Sequence, residues 1–133
     1  MASDSVQVAE RIQRAAADVY DYVARPDHIA DWAPGLGDTV ERAGEDWFVC
    51  GPMGRVKVMF APANGFGVLD HEVTLPSGER FYNPLRVVGY GEGCEIVFSV
   101  RRWPGMSDAE LERDVKAVSG DLRRLKQILE SSE

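Results

Sequence analysis

Hydrophobic residues recur with a helical period at the C-terminal end of the chain. Over residues 107–133 the apolar positions alternate spacings of four and three, which places them on one face of a helix: Leu111, Val115, Val118, Leu122, Leu125 and Leu129. Ser107 followed three residues later by Glu110 is a capping-box pattern, which is typical of a helix start. The pattern predicts one long amphipathic helix over 107–133, whose apolar face needs other elements to cover it.

The residues before this helix alternate mostly with a strand period. Residues 6–13 are predicted as a first strand with Val6, Val8, Glu10 and Ile12 on one face, and two short helices follow over 15–24 and 27–32. Turn-forming glycines and prolines then separate six predicted strands, at 38–42, 46–50, 55–60, 67–75, 79–90 and 94–102. Pro84 lies inside one of them and predicts an edge or a bulge there.

This order of elements, β-α-α-β6-α, predicts an α+β fold. A curved antiparallel sheet of about seven strands would wrap around the long C-terminal helix, because only a curved sheet contacts a long helix along its length. The 133 residues suit a single domain over 1–133 that can bury its own core. Such packing leaves room for a cavity between the sheet and the helix.

Composition narrows the class of partner. The net charge is -7, from 22 acidic and 15 basic residues, which argues against binding to nucleic acid. The first residues carry neither a basic nor an apolar leader pattern and no stretch is long and apolar enough to span a bilayer, so we expect a cytoplasmic protein with no integral membrane segment. Cys50 and Cys94 are expected to be small buried side chains rather than a disulfide.

Three segments of the sequence, taken with this element order, resemble the helix-grip superfamily, which includes START domains and the birch-pollen allergen type. They are VYDYVARPDHIADW at 19–32, GVLDHEV at 67–73, and RRWPGMSDAELERD at 101–114 leading into VSGDLRRLKQILE. They look like bacterial polyketide cyclase/dehydrase-type members. The resemblance implies a hydrophobic cavity between sheet and C-terminal helix that binds a lipid-, polyketide- or quinone-like molecule, with cyclisation or dehydration of polyketides in a few branches.

His71 is the first candidate for chemistry. It shares a strand face with Leu69, Val73 and Leu75, so the more apolar face of its strand carries the imidazole inward. A buried imidazole can bind a ligand carbonyl or act as a general acid or base, whereas the alternative is a core histidine satisfied by the protein itself.

Glu10 is the second candidate, since a carboxylate on an apolar face needs a partner or a wet cavity. Alternatively, the strand twists near its end and exposes it. Arg86 and Arg102, on the last two strands, could bind a ligand carboxylate, although surface charge is the alternative role for such residues. If Glu10, His71 and an arginine converged, they would suit enolisation or dehydration.

The apolar lining of the expected cavity comes from strands, the second short helix and the closing helix. Its predicted members are Trp32, Phe60, Leu69, Phe98, Val115, Val118 and Leu122. No metal-ligand spacing and no glycine-rich nucleotide motif occurs in the sequence, so no metal and no other cofactor is expected.

Two hypotheses of function follow. The first is a binding or carrier protein for a small hydrophobic ligand, and the alternative is a polyketide cyclase/dehydratase-type enzyme with His71 as acid/base. A third, a module that binds another protein, would need an exposed apolar patch. The sequence is compatible with a monomer or a homodimer.

Overall fold

The computed structural model describes residues 5–131 as three helices and eight strands. The helices are α1 (Ala16–Val23), α2 (Ile29–Trp32), which follows a 3₁₀ turn at Pro26–His28, and α3 (Asp108–Ser131). The strands are β1 (Ser5–Ile12), β2 (Thr39–Ala43), β3 (Asp46–Gly51), β4 (Gly54–Phe60), β5 (His71–Thr74), β6 (Arg80–Asn83), β7 (Leu85–Tyr90) and β8 (Gly93–Arg101). The predicted α+β fold is confirmed, with one more strand than the seven expected.

The additional strand results from Pro84. Proline has no backbone N–H to donate to a ladder, so the predicted strand over 79–90 divides there into β6 and β7. The strands accordingly form two antiparallel sheets, ordered β1-β8-β7 and β2-β3-β4-β5-β6. β6 stays on β5, whereas β7 pairs with β8.

The segment just before β5 joins the two sheets. Val68 forms an isolated bridge with Arg86, and the Leu69 N–H donates to the Leu85 carbonyl oxygen at 2.8 Å. Gly67 has a φ of 72°, and a Cβ at this position would clash with the Val87 carbonyl oxygen. The first residues of the predicted strand 67–75 therefore pair with β7 instead of extending β5.

Helix α3 begins as its sequence predicts. The Glu110 N–H donates to Ser107 Oγ at 3.1 Å, and the Ser107 N–H donates to Glu110 Oε1 at 3.0 Å, which confirms the capping box. The described helix ends at Ser131, so the last two residues of the predicted helix 107–133 lie outside the described residues.

The two halves of α3 are covered differently. Leu122, Leu125 and Leu129 are buried in the core, and α3 packs chiefly on β1 with further contacts to β8 and α2. Lys126 Nζ donates to the Arg11 carbonyl oxygen at 2.6 Å, which ties the C-terminal half of the helix to the end of β1. Val115 and Val118 are only half-buried. Leu111, also in the N-terminal half, is buried, so the incomplete cover of the apolar face lies at Val115 and Val118. None of the helices within residues 5–131 is long and apolar enough to cross a membrane.

Candidate functional site

A cavity of about 140 Å³, here called the inner chamber, lies between the sheet and helices α2 and α3. Strands β4, β5 and β8 supply one wall and the two helices supply the other. Its main apolar lining residues are Ile29, Trp32, Val58, Phe60, Phe98 and Val118. Its polar lining residues are His71, Asn83 and Asp121. The chamber is therefore mostly apolar with a few polar groups, as small-molecule sites usually are.

His71 opens β5 and is held between aromatic rings. Its ring centroid lies 5.0 Å from that of Phe60 and 5.8 Å from that of Phe98. Its Nδ1 lies 3.1 Å from the Leu69 carbonyl oxygen, and because a carbonyl can only accept, we assign the proton to Nδ1. Burial lowers the pKa of His71, so the ring is neutral and Nε2 carries a free lone pair.

Asp121 on α3 is the acid of the inner chamber. Burial raises the pKa of its carboxyl group to about 6, against the opposing effect of the hydrogen bond and charge of Arg124. Arg124 Nη1 donates to Asp121 Oδ1 at 3.1 Å and to the Trp32 carbonyl oxygen at 3.0 Å. The same guanidinium nitrogen thus links the acid to the end of α2.

Trp32 contributes an unsatisfied donor. Its side chain is 3% exposed, and its indole Nε1 is buried without a hydrogen-bond partner. A buried N–H that has lost its water and found no acceptor costs about 1–3 kcal/mol. Asn83, at the end of β6, pairs with His71 across the ladder and brings a side-chain amide to the same chamber.

A second cavity, of about 200 Å³, adjoins the inner chamber and is here called the vestibule. The two cavities share Asn83, Phe98 and Val118. Trp103, whose ring meets that of Phe81 edge-on at 4.9 Å between centroids, is a further lining residue. Asp114 also lines the vestibule, and burial raises the pKa of its carboxyl group. The shared residues place the vestibule next to the inner chamber.

Five of the residues predicted to contact a ligand line the inner chamber: Trp32, Phe60, His71, Phe98 and Val118. Leu69 and Leu122 are 1% and 0% exposed and belong to the packed core instead. Val115 is half-buried on α3 and lines neither cavity.

The two predicted arginines lie outside both cavities. Along β7 the side chains of Leu85 and Val87 are buried and Arg86 is exposed, because successive residues point to opposite faces. Arg86 donates to the buried Asp70 carboxylate at 2.9 Å. Arg102 donates to Asp108 at 2.7 Å, beside the start of α3.

The buried carboxylate of Asp70 links β6 to β7 through hydrogen bonds. Burial by itself would raise the pKa of its carboxyl group, but hydrogen bonds from Arg86, Tyr82 and the Leu85 N–H lower it to about 2. Tyr82 donates to it at 2.6 Å and the Leu85 N–H at 2.9 Å. This cluster lies at the break between β6 and β7, where a ladder hydrogen bond is missing.

Glu10 is half-buried in β1, where it pairs with Ile96. It lines neither the inner chamber nor the vestibule. Glu10, His71 and an arginine therefore do not meet at the inner chamber. The acid found there is Asp121, which the sequence reasoning missed. Its spacing of three residues from Val118 was the available signal, since that spacing puts both on one helix face.

A wider depression, of about 500 Å³, lies elsewhere on the surface, between α1, residues 64–67 and β7. Phe66 beside it is 86% exposed and Val88 is 59% exposed. It lies outside the space between sheet and α3. The unsatisfied indole of Trp32 and the neutral His71 make the inner chamber the stronger candidate site.

No protein-family model matches the sequence, and no curated protein matches it. Solved structures do match it. DynU16, a protein of the dynemicin biosynthetic locus, superposes with a TM-score of 0.74 at 17% identity, covering 97% of this chain and 48% of that chain. This chain thus spans about half the length of DynU16.

Two further solved structures match over nearly their whole length. Ara h 8.0201 gives a TM-score of 0.71 at 14% identity, covering 96% of this chain and 98% of that chain. Truncated norcoclaurine synthase from Thalictrum flavum gives 0.66 at 14% identity, covering 97% of this chain and 95% of that chain. Likeness at such low identity carries information about the fold alone. The chain therefore has the helix-grip fold of these solved structures.

Proposed function

We propose that this protein binds a small, largely apolar molecule of the lipid, polyketide or quinone kind in the inner chamber and vestibule. The observation that carries the proposal is the mostly apolar inner chamber, whose lining includes Trp32, a residue with a buried indole N–H that has no acceptor. A ligand oxygen would supply that acceptor and recover the cost of the unsatisfied donor.

The size of the cavities supports a ligand with a ring at one end. An engineered protein cavity of about 150 Å³ takes up benzene, and the inner chamber has about 140 Å³. The rings of Phe60 and Phe98 in its wall suit an aromatic or unsaturated group. The vestibule, at about 200 Å³, can take the rest of a longer molecule.

The first test is native mass spectrometry of protein purified from its own host, in search of a bound small molecule. The second is a comparison of two variants. Val118→Phe adds bulk at a residue that lines both cavities, whereas Val88→Phe adds the same bulk on the exposed face of β7. We expect Val118→Phe to abolish uptake of the co-purifying molecule and Val88→Phe to retain it. Equal uptake by both variants would contradict the proposal.

A second function, that of a polyketide cyclase/dehydratase-type enzyme, is favoured by one specific observation. His71 Nε2 has a free lone pair, and Asp121, whose carboxyl pKa is about 6, lines the same inner chamber. A neutral imidazole can remove a proton next to a ketone, and a protonated carboxyl group can donate one to the developing enolate oxygen. In this proposal Asp121 takes the assisting role that the sequence suggested for Glu10.

Enolisation can be tested without knowing the natural substrate. The probe is 2-tetralone in D₂O, and NMR follows the exchange of its α-hydrogens. An enzyme should accelerate exchange, and His71→Gln should abolish that acceleration, whereas in a carrier the same substitution should only weaken binding. If the wild-type protein binds 2-tetralone without accelerating exchange, the enzymatic proposal is wrong and the carrier proposal stands.

A further inference from the structure

The polar groups of the inner chamber are mainly hydrogen-bond acceptors. His71 Nε2 presents a lone pair, and Asp121 Oδ2 has no partner within residues 5–131, since Arg124 binds the other oxygen. Trp32 is also a lining residue, and its buried indole N–H is a donor without an acceptor. The side-chain amide of Asn83 can supply a donor or an acceptor. A ligand group that satisfied these side chains would have to donate a hydrogen bond and also accept one.

The chamber also lacks a cation for an anionic ligand. No lysine or arginine is among the residues that line it, and the neutral His71 adds no charge. Arg124 directs its Nη1 to Asp121 and to the Trp32 carbonyl oxygen. The vestibule is lined by groups of both charges, the carboxyl group of Asp114 and the exposed guanidinium of Arg101. A carboxylate entering the chamber would lose its water and meet Asp121 without a compensating charge.

The hydroxyl group fits this set of partners. It can donate its proton to Asp121 Oδ2 or His71 Nε2 and at the same time accept from the Trp32 N–H. An ether can only accept, a protonated amine can only donate, and a carboxylate can only accept and is repelled. The aromatic wall and the volume of the chamber favour a ring as the carrier of this hydroxyl.

We infer that the group bound in the inner chamber is an uncharged hydroxyl-bearing ring, of the phenol type, and not a carboxylate. This inference rests on the proposed function, because it concerns the ligand of the same site. It distinguishes a phenol from a benzoate, whose carboxylate would lie in the inner chamber, where neither lysine nor arginine lines the wall.

The test uses three probes of the same shape: 4-ethylphenol, 4-ethylanisole and 4-ethylbenzoate. Isothermal titration calorimetry at pH 8 measures the dissociation constant of each. We expect 4-ethylphenol to bind about tenfold more tightly than 4-ethylanisole, because one buried donor hydrogen bond is lost with the methyl ether. 4-Ethylbenzoate should bind more weakly than either.

Two substitutions test whether the preference for 4-ethylphenol depends on the side chains of Asp121 and Trp32. Asp121→Asn removes the negative charge, so the ratio of the 4-ethylbenzoate and 4-ethylphenol dissociation constants should fall about tenfold. Trp32→Phe removes the indole N–H donor and should weaken the binding of 4-ethylphenol and of 4-ethylanisole by the same factor. Glu112→Gln, a change on the exposed face of the same helix, is the matched control and should alter none of the three.

The outcomes separate this inference from the proposed function. Tight binding of 4-ethylbenzoate, or equal binding of the phenol and the anisole, would overturn the inference and leave a binding cavity in place. Failure of all three probes to bind would overturn the inference alone, because the proposed function is tested by the co-purifying molecule and by Val118→Phe. The inference would also be overturned if Asp121→Asn left the ratio of the 4-ethylbenzoate and 4-ethylphenol dissociation constants unchanged and Trp32→Phe weakened the binding of neither 4-ethylphenol nor 4-ethylanisole.

Discussion

Replacing Asp121 by asparagine should stabilise the protein, and by more at high pH than at low pH. Asparagine keeps the size of the side chain and an oxygen that can accept from Arg124, but it carries no charge. The carboxyl pKa of Asp121 is raised by burial to about 6 from 3.8. Below pH 3.8 the group is protonated in both folded and unfolded chains, so it has little effect on stability. As the pH rises through 3.8 toward 6, the unfolded chain ionises first and the folded state loses stability.

The magnitude follows from the pKa difference. At 1.36 kcal/mol per unit, a shift from 3.8 to about 6 corresponds to about 3 kcal/mol. The Asp121 side chain is 27% exposed and pairs with the half-exposed Arg124, so solvent screening reduces this value. We expect Asp121→Asn to exceed the wild type in free energy of unfolding by about 1 to 2 kcal/mol at pH 8, and by much less at pH 4.

The measurement is urea unfolding of both proteins at about pH 4, 6 and 8, followed by tryptophan fluorescence at micromolar concentration. Glu112→Gln removes one negative charge from the exposed face of the same helix and controls for the change in net charge. Differences between variant and wild type are compared at each pH, so that other titrating groups cancel. A difference that stays constant or shrinks from pH 4 to pH 8 would refute the reasoning.

Three further predictions concern the buried carboxylate of Asp70, the packing of α3 and the cap of α3. Asp70→Asn should lower the free energy of unfolding by about 1 to 3 kcal/mol at pH 7. This loss should shrink as the pH drops toward 2, because the lowered pKa of Asp70 stabilises the folded state only while its carboxyl group is ionised. Urea unfolding of both proteins between pH 7 and pH 2 measures the difference. Leu122→Ala leaves a cavity at a fully buried position and should lower the free energy of unfolding by about 2–5 kcal/mol. Val115→Ala changes a half-buried position and should lower it clearly less. Equal losses of stability in the two variants would contradict the packing of α3. Ser107→Ala removes the helix cap and should lower the free energy of unfolding by about 1 kcal/mol, with Ser77→Ala in an exposed turn as control.

Local patterns predicted most of the fold. The start of α3 follows from Ser107 and Glu110, whose hydrogen bonds depend on neighbouring residues only. Pro84 was expected to disturb its strand, and it does. The division into two sheets was not expected, because it depends on residues 67–69 pairing with β7, and no local pattern specifies which distant strand a segment meets.

The site was predictable in part, for reasons that differ between residues. The inward position of His71 follows from alternation along β5. The same alternation places Arg86 outward between Leu85 and Val87, so its exposure was also predictable from the sequence. Asp121 was not among the predicted site residues. Its spacing from Val118 shows that it shares a helix face, although not that this face overlies a cavity.

The periodicities, the turns and the helix cap depend on residues close together in the chain, so the sequence alone predicts them. Which polar groups lose water depends on how distant elements pack against one another. Trp32, His71 and Asp121 come from α2, β5 and α3, and they line one inner chamber only after helix and sheets pack. The pKa of Asp121 and the unsatisfied Trp32 N–H arise from that burial. Desolvation is a property of the surroundings of a group, and here those surroundings come from distant parts of the chain.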